Sequence, residues 1–246
     1  MKLRAGTSGF AFKEWKGSFY PKELKDDGML GYYAGRFPSV EINNTFYRLP
    51  KADVLKSWAS QVDEPFRFAI KASQRITHFA RLKEEAASPL EYLLGATEVL
   101  GDRLGPILFQ LPPNLQKDAA RLKAFVALLP PDRRYTIEFR HPSWFDEETY
   151  DVLRARDIPM CIIEQPDFAS PVVATASWGY MRLHRFDYDG AQHAAWIERI
   201  AGQSWSEAYV FFKHDEGVGS GPPAVDAFVA ALPEPLREQS RGRGSG

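Results

Sequence analysis

The 246-residue chain has a single cysteine, Cys161. No disulfide can form within it, and no cysteine-based metal site is available. It also lacks charge of one dominant sign: 31 Lys and Arg stand against 32 Asp and Glu, interspersed, for a net charge of −1. That excludes a global field able to hold nucleic acid or a membrane surface, although a local basic patch is compatible with it. No window approaches the roughly eighteen consecutive apolar residues of a membrane helix. Met1-Lys2-Leu3-Arg4 lacks the apolar run expected of a signal peptide. The expectation is a cytoplasmic protein with no membrane partner. A Rossmann G-x-G-x-x-G, a Walker A loop, H-E-x-x-H and G-x-S-x-G are all missing, so neither a cofactor nor a bound metal is expected. Nothing in the sequence speaks to oligomeric state.

What is present begins with 44% hydrophobic residues, including six Trp, ten Tyr and seventeen Phe, enough for a sizeable core. The length suits one eight-fold α/β barrel. Short apolar runs alternate with amphipathic stretches down the chain, the pattern of parallel strands joined by helical crossovers. The runs are Leu3 to Gly6, Val40 to Ile42, Phe66 to Ile70, Ile107 to Phe109, Tyr135 to Phe139, Met160 to Ile163, Tyr180 to Leu183 and Tyr209 to Phe212. Between them lie apolar stripes, the clearest being Leu122, Phe125, Val126 and Leu129 at i, i+3, i+4 and i+7. Gln165 to Thr175 carries no such stripe, which predicts one irregular crossover. The sequence predicts a TIM-type (β/α) barrel, one domain over residues 1–232, followed by a flexible tail over 233–246 that is rich in Pro, Arg, Gly and Ser.

In such a barrel the C-terminal strand ends carry function. Polar residues gather there: Glu41 and Asn43, Lys71, Gln110, Glu138 with Arg140 and His141, Glu164, Arg182 with His184, and Lys213. Glu41 and Glu138 each interrupt an apolar strand. A carboxylate inside a barrel needs a basic partner or a raised pKa. Two readings follow: a structural ion pair with Arg4, Lys71, Arg140 or Arg182, or an acid/base or metal-binding carboxylate tuned by those cations. With His184, these two glutamates are the candidate catalytic groups. Asn43, Lys71, Gln110, Arg140, His141, Trp144, Arg182 and Lys213 are candidate substrate-binding residues. Gly217, Gly219 and Gly221 precede a helix and are candidate phosphate binders through backbone N–H groups. Ser8, beside Gly9, has no mapped base and receives no role.

Several stretches resemble the DUF72, or YecE-like, family. They are Gly6-Thr7-Ser8-Gly9-Phe10, Trp15-Lys16-Gly17-Ser18-Phe19-Tyr20-Pro21 and Val40-Glu41-Ile42-Asn43-Asn44-Thr45-Phe46-Tyr47, then Phe66 to Lys71 with Thr77-His78. Gly105 to Pro113, Glu138-Phe139-Arg140-His141-Pro142-Ser143-Trp144 and Tyr180-Met181-Arg182-Leu183-His184 complete the set. The resemblance implies a TIM-type barrel and imports no mechanism. The residues themselves favour a hydrolase or lyase acting on a polar, anionic or phosphorylated small molecule. A metal-dependent isomerase- or endonuclease-like site using Glu41, Glu138, Glu164 and His184 is the alternative. A single-stranded nucleic-acid module using Phe10, Trp15, Tyr20, Phe46, Tyr47 and Trp144 is another, disfavoured by the charge balance.

Overall fold

A computed structural model describes residues 1–213 and 220–239. Eight parallel strands appear where the apolar runs predict them: β1 (Lys2–Thr7), β2 (Ser39–Ile42), β3 (Arg67–Lys71), β4 (Leu104–Gln110), β5 (Tyr135–Glu138), β6 (Ile162–Gln165), β8 (Gly179–Leu183) and β9 (Glu207–Phe212). The two-residue β7 (Phe168–Ala169) folds back antiparallel on β6. Helices fill the crossovers: α1 (Met29–Ala34), α2 (Ala52–Ser60), α3 (Ala87–Thr97), α4 (Ala119–Ala127), α5 (Glu147–Arg154), α6 (Gly190–Ala201) and α7 (Pro222–Ala231). No helix lies between β6 and β8, so the irregular crossover falls where the sequence places it. A further helix, α8 (Glu234–Gln239), occupies the start of the segment expected to be a flexible tail. Its Leu236 packs against the core, and the guanidinium of Arg237 donates to the Leu232 carbonyl at 2.9 Å. Among the described residues, no helix is long and apolar enough to cross a membrane.

Local chemistry sets the helix starts. Asp118, Asp146 and Asp189 accept from the backbone N–H groups of Arg121, Thr149 and Gln192 at 2.9, 3.0 and 2.8 Å. Gln192 returns the bond to the Asp189 N–H at 2.9 Å, closing a capping box.

The strand ladders form two sheets, β1-β9-β8-β6-β7 and β2-β3-β4-β5, parallel throughout except for β7. The single continuous cylinder expected from the sequence is thus seen as an α/β fold of two sheets. One isolated bridge, Ile137 to Met160, links them on one side. On the other side, no ladder joins β1 to β2 among the described residues. A side chain takes its place. The hydroxyl of Tyr33, on α1, accepts from the Thr7 N–H at 2.7 Å and donates to the Ser39 carbonyl at 3.1 Å. The backbones approach so closely that a Cβ on Gly6 would collide with the Ser39 carbonyl oxygen.

Alternation along the strands divides the core in two. Phe68, Ile70, Ile107, Phe109, Met181, Leu183, Val210 and Phe212 belong to the large apolar cluster that includes the buried helix residues. Their neighbours Ala69, Leu108, Cys161, Tyr180, Tyr209 and Phe211, with Trp178, form a separate smaller cluster on the opposite strand face. Beyond it, toward the strands' C-terminal ends, the same face turns polar.

Candidate functional site

Two residues on from the smaller apolar cluster stand the charged ones, because period 2 keeps i and i+2 on one face. Arg182 on β8 is the hub. Its Nη2 donates to Glu41 Oε1 at 2.9 Å and its Nη1 to Glu138 Oε2 at 2.7 Å. Both carboxylates are fully buried and Arg182 nearly so. Glu41 takes further donors: Oε1 also accepts from Ser8 Oγ at 2.8 Å and Asn43 Nδ2 at 3.0 Å, and Oε2 accepts from the Tyr180 hydroxyl at 2.6 Å. Glu138 pairs with Arg140 as well, which in turn donates to Gln165 Oε1 at 2.7 Å. Gln110 Oε1 lies 3.5 Å from Arg182 Nη1.

The electrostatics follow from these contacts. Burial works to raise Glu138, but the Arg182 and Arg140 guanidiniums outweigh it and hold the carboxyl below its ordinary value. Burial works against the Arg182 charge, and Glu41 and Glu138 together hold it well above its ordinary value. Burial, then the Glu41 carboxylate, pushes the Tyr180 phenol far up, so it stays a donor. His184 is pushed well down by burial and by Arg182, Arg140, Lys213 and Lys71, so its imidazole is neutral near pH 7. Lys71, mostly buried, is lowered by burial and by Arg182 to about 8. Its ammonium lies 4.3 Å from the centroid of the Phe46 ring.

Ser8 has one hydroxyl proton. An ionised Glu41 can only accept, so that proton points to Glu41 at 2.8 Å. His184 Nε2, 3.4 Å from Ser8 Oγ, is then no base for a Ser8 nucleophile.

The structure therefore brings together Glu41, Asn43, Lys71, Gln110, Glu138, Arg140, Arg182 and His184, from β2, β3, β4, β5 and β8 or the residues just after them. Other candidates stand apart. Trp144 is buried, stacked 4.8 Å from Phe139, with its indole N–H on the Leu115 carbonyl at 2.7 Å, so it is core and presents no free face to a ligand. His141 Nδ1 accepts from the Ser143 N–H at 3.2 Å and caps its own turn. Lys213 is exposed, 5.8 Å from the Phe186 ring centroid, and reaches the cluster only through the effect of its charge on His184. Gly221, at φ +66°, starts α7 and donates its N–H to the Lys213 carbonyl at 3.2 Å. Gly217 and Gly219 lie outside the described residues. Of the rings expected to stack on bases, Trp15, Tyr20, Phe46 and Trp144 are buried. Tyr180 and Gln165 belong to the cluster and were missed. The spacing Tyr180, Arg182, His184 on one strand face was the signal for the first.

The alternative metal set does not assemble. Glu41 and Glu138 both turn onto Arg182, and Glu164 accepts from the Trp196 indole at 2.8 Å. Among the described residues, no group of three or more His, Cys, Asp or Glu side chains is placed to hold one ion.

The family model described as "Protein of unknown function DUF72" matches residues 4–243. The chain belongs to the DUF72 family. The UPF0759 protein YunF of Bacillus subtilis is 25% identical over 214 residues, 81% of this chain and 75% of that protein. The UPF0759 protein YecE of Escherichia coli K12 is 35% identical over 117 residues, 47% of this chain and 43% of that one. A crystal structure of a DUF72 family protein from Thermotoga maritima superimposes with a TM-score of 0.74 at 25% identity, covering 93% of this chain and 97% of that one. A DUF72 family protein from Enterococcus faecalis, at 17% identity and a TM-score of 0.77 over 94% of this chain and 95% of that one, shares the fold.

Proposed function

We propose that this DUF72 protein is a TIM-type barrel enzyme, a hydrolase or lyase, that holds a small polar anion at the C-terminal ends of its strands and cleaves it by acid–base chemistry. The barrel reading is supported by the strand order and by the separate inner apolar layer. The functional reading is carried by a charge imbalance. Among the described residues, Lys71, Arg140 and Arg182 stand with Glu41 and Glu138, three cations to two carboxylates. Lys71 is the surplus, with no carboxylate in ion-pair distance among the described residues. Burying a cation without a partner opposes folding, so a ligand carboxylate or phosphate is its natural complement.

In this reading Glu41 and Glu138 fix Arg182, to which both are bonded. Lys71 and Arg140, both partly exposed, meet the anion, while Asn43 and Gln110 orient it. His184 accepts the proton given up by the attacking water or by the substrate carbon and, as imidazolium, returns it to the leaving group. Its imidazole is neutral in the free protein, and a bound anion offsets the surrounding cations and makes it a stronger base.

Calorimetry with inorganic phosphate, pyrophosphate and citrate tests the anion site. At least one should bind near pH 7, and Lys71→Met should weaken it about tenfold, the worth of one charged hydrogen bond. Because Lys71 titrates near 8, wild-type affinity should fall as pH rises through that value and approach that of the variant. Failure of all three anions to bind, or identical pH profiles for the two proteins, would overturn the reading.

A further inference from the structure

Beside the mouth lies a groove of about 1000 Å³, between the segment following β2 and the long connection from β3 into α3. Its composition is unusual for a water-facing surface. Among the described residues seven large apolar side chains are exposed, and three of them line this groove: Tyr47 (75%), Phe79 (70%) and Tyr92 (66%). Between the rings stand Arg48, Lys51, Arg75 and Lys83, four cations against one carboxylate, Glu85. Among the described residues, none of the four forms an ion pair. Elsewhere on this nearly neutral molecule surface cations commonly do, as with Lys16 on Asp26 and Lys117 on Glu148.

The wall of the groove is fixed. Phe79 ends a π-helical turn, Arg75–Phe79, a feature found often at functional sites. Just beyond, Arg81 and Leu82 are two successive non-glycine residues with left-handed φ of 51° and 60°. Such strain persists only where surrounding structure enforces it. Leu82 is buried and Arg81 donates to Asn114 Oδ1 at 3.1 Å. Tyr47 packs edge-on against Phe46 at 5.0 Å, the ring beneath Lys71, so groove and mouth share a wall.

We infer that this groove binds single-stranded nucleic acid, with bases stacked on Tyr47, Phe79 and Tyr92 and phosphates held by Arg48, Lys51, Arg75 and Lys83. Rings spaced among unpaired cations are what an unpaired strand offers partners for: a π-face on every base and a charge on every linkage. A duplex hides its base faces, and an anionic lipid surface has none. The inference rests on the groove alone and is independent of the small-anion reading.

The test is fluorescence anisotropy of the full chain with a labelled twelve-nucleotide oligothymidylate, alongside a blunt duplex, heparin and anionic phospholipid vesicles. The single strand should bind. With about four phosphates neutralised, affinity should fall about 50-fold between 50 and 200 mM salt. Phe79→Ala and Tyr92→Ala, both on the surface, should each weaken binding about tenfold. Lys83→Ala should lower the salt slope by about 0.7. No binding of the strand at 50 mM salt overturns the inference. So does binding that the ring variants leave unchanged, or a preference for duplex, heparin or vesicles over the strand.

Discussion

At His184, burial and charge act in the same direction. The imidazole is nearly inaccessible and four cations surround it, so the folded protein resists protonating it. An unfolded histidine titrates near 6.5. Below that pH the unfolded chain binds a proton that the native state refuses, so stability falls as pH drops from about 7 toward 5. The slope contributed is up to about 1.4 kcal/mol per pH unit. His193, also lowered by burial, adds to it. Urea unfolding at several pH values in this window should show a shallower slope for His184→Asn than for wild type, by up to one proton; equal slopes would refute the assignment. The charged part of the site was legible because Glu41 and Glu138 sit inside apolar strands, where an acid demands a partner. Tyr180 was marked only by its place two residues before Arg182 on one strand face, a weak signal because tyrosine is an ordinary strand residue. Trp144 was misplaced because its burial depends on Phe139 and on the Leu115 carbonyl, 29 residues away in the chain.

No ladder joins β1 to β2 among the described residues, and the Tyr33 hydroxyl bridges the two backbones instead. Tyr33→Phe keeps the ring and removes the bridge, leaving the Thr7 N–H and the Ser39 carbonyl without that partner. Such loss costs about 1–3 kcal/mol when the groups are buried. Equilibrium denaturation should show that loss, with Thr7 and neighbouring β1 amides gaining hydrogen exchange ahead of those in β9. An unchanged midpoint would mean that water fills the bridge. This seam was invisible in the sequence, where Tyr33 counts only as one member of the apolar stripe of α1. The strands themselves were readable as short apolar runs and the helices from their stripes. β7 is too short to carry a pattern. α8 was obscured by a composition rich in proline and charge, which hides the one anchoring leucine, Leu236.

Across the whole molecule, two sheets with little backbone pairing between them must be held as one body, and buried charge spans both gaps. Arg182 belongs to one sheet; Glu41 and Glu138 lie on β2 and β5, the two edge strands of the other. At the opposite end Glu207, on β9, pairs with Arg4 of its own sheet and with Arg134, next to β5. Arg4 also donates to the Pro65 carbonyl, just before β3, at 2.6 Å. The polar cluster thus has a structural task whatever ligand it meets. Arg182→Met should cost about 3–5 kcal/mol, because it strands two buried carboxylates. Adding Glu41→Gln and Glu138→Gln to that variant should restore part of the loss, since no uncompensated charge then remains. The two sheets should also lose their common fate. In wild type, amides of β2–β5 and of β1, β8 and β9 should open with one free energy under native-state hydrogen exchange, whereas in Arg182→Met the sets should separate. If the triple variant is no more stable than the single, or the exchange energies stay coincident, apolar packing rather than the guanidinium holds the halves together.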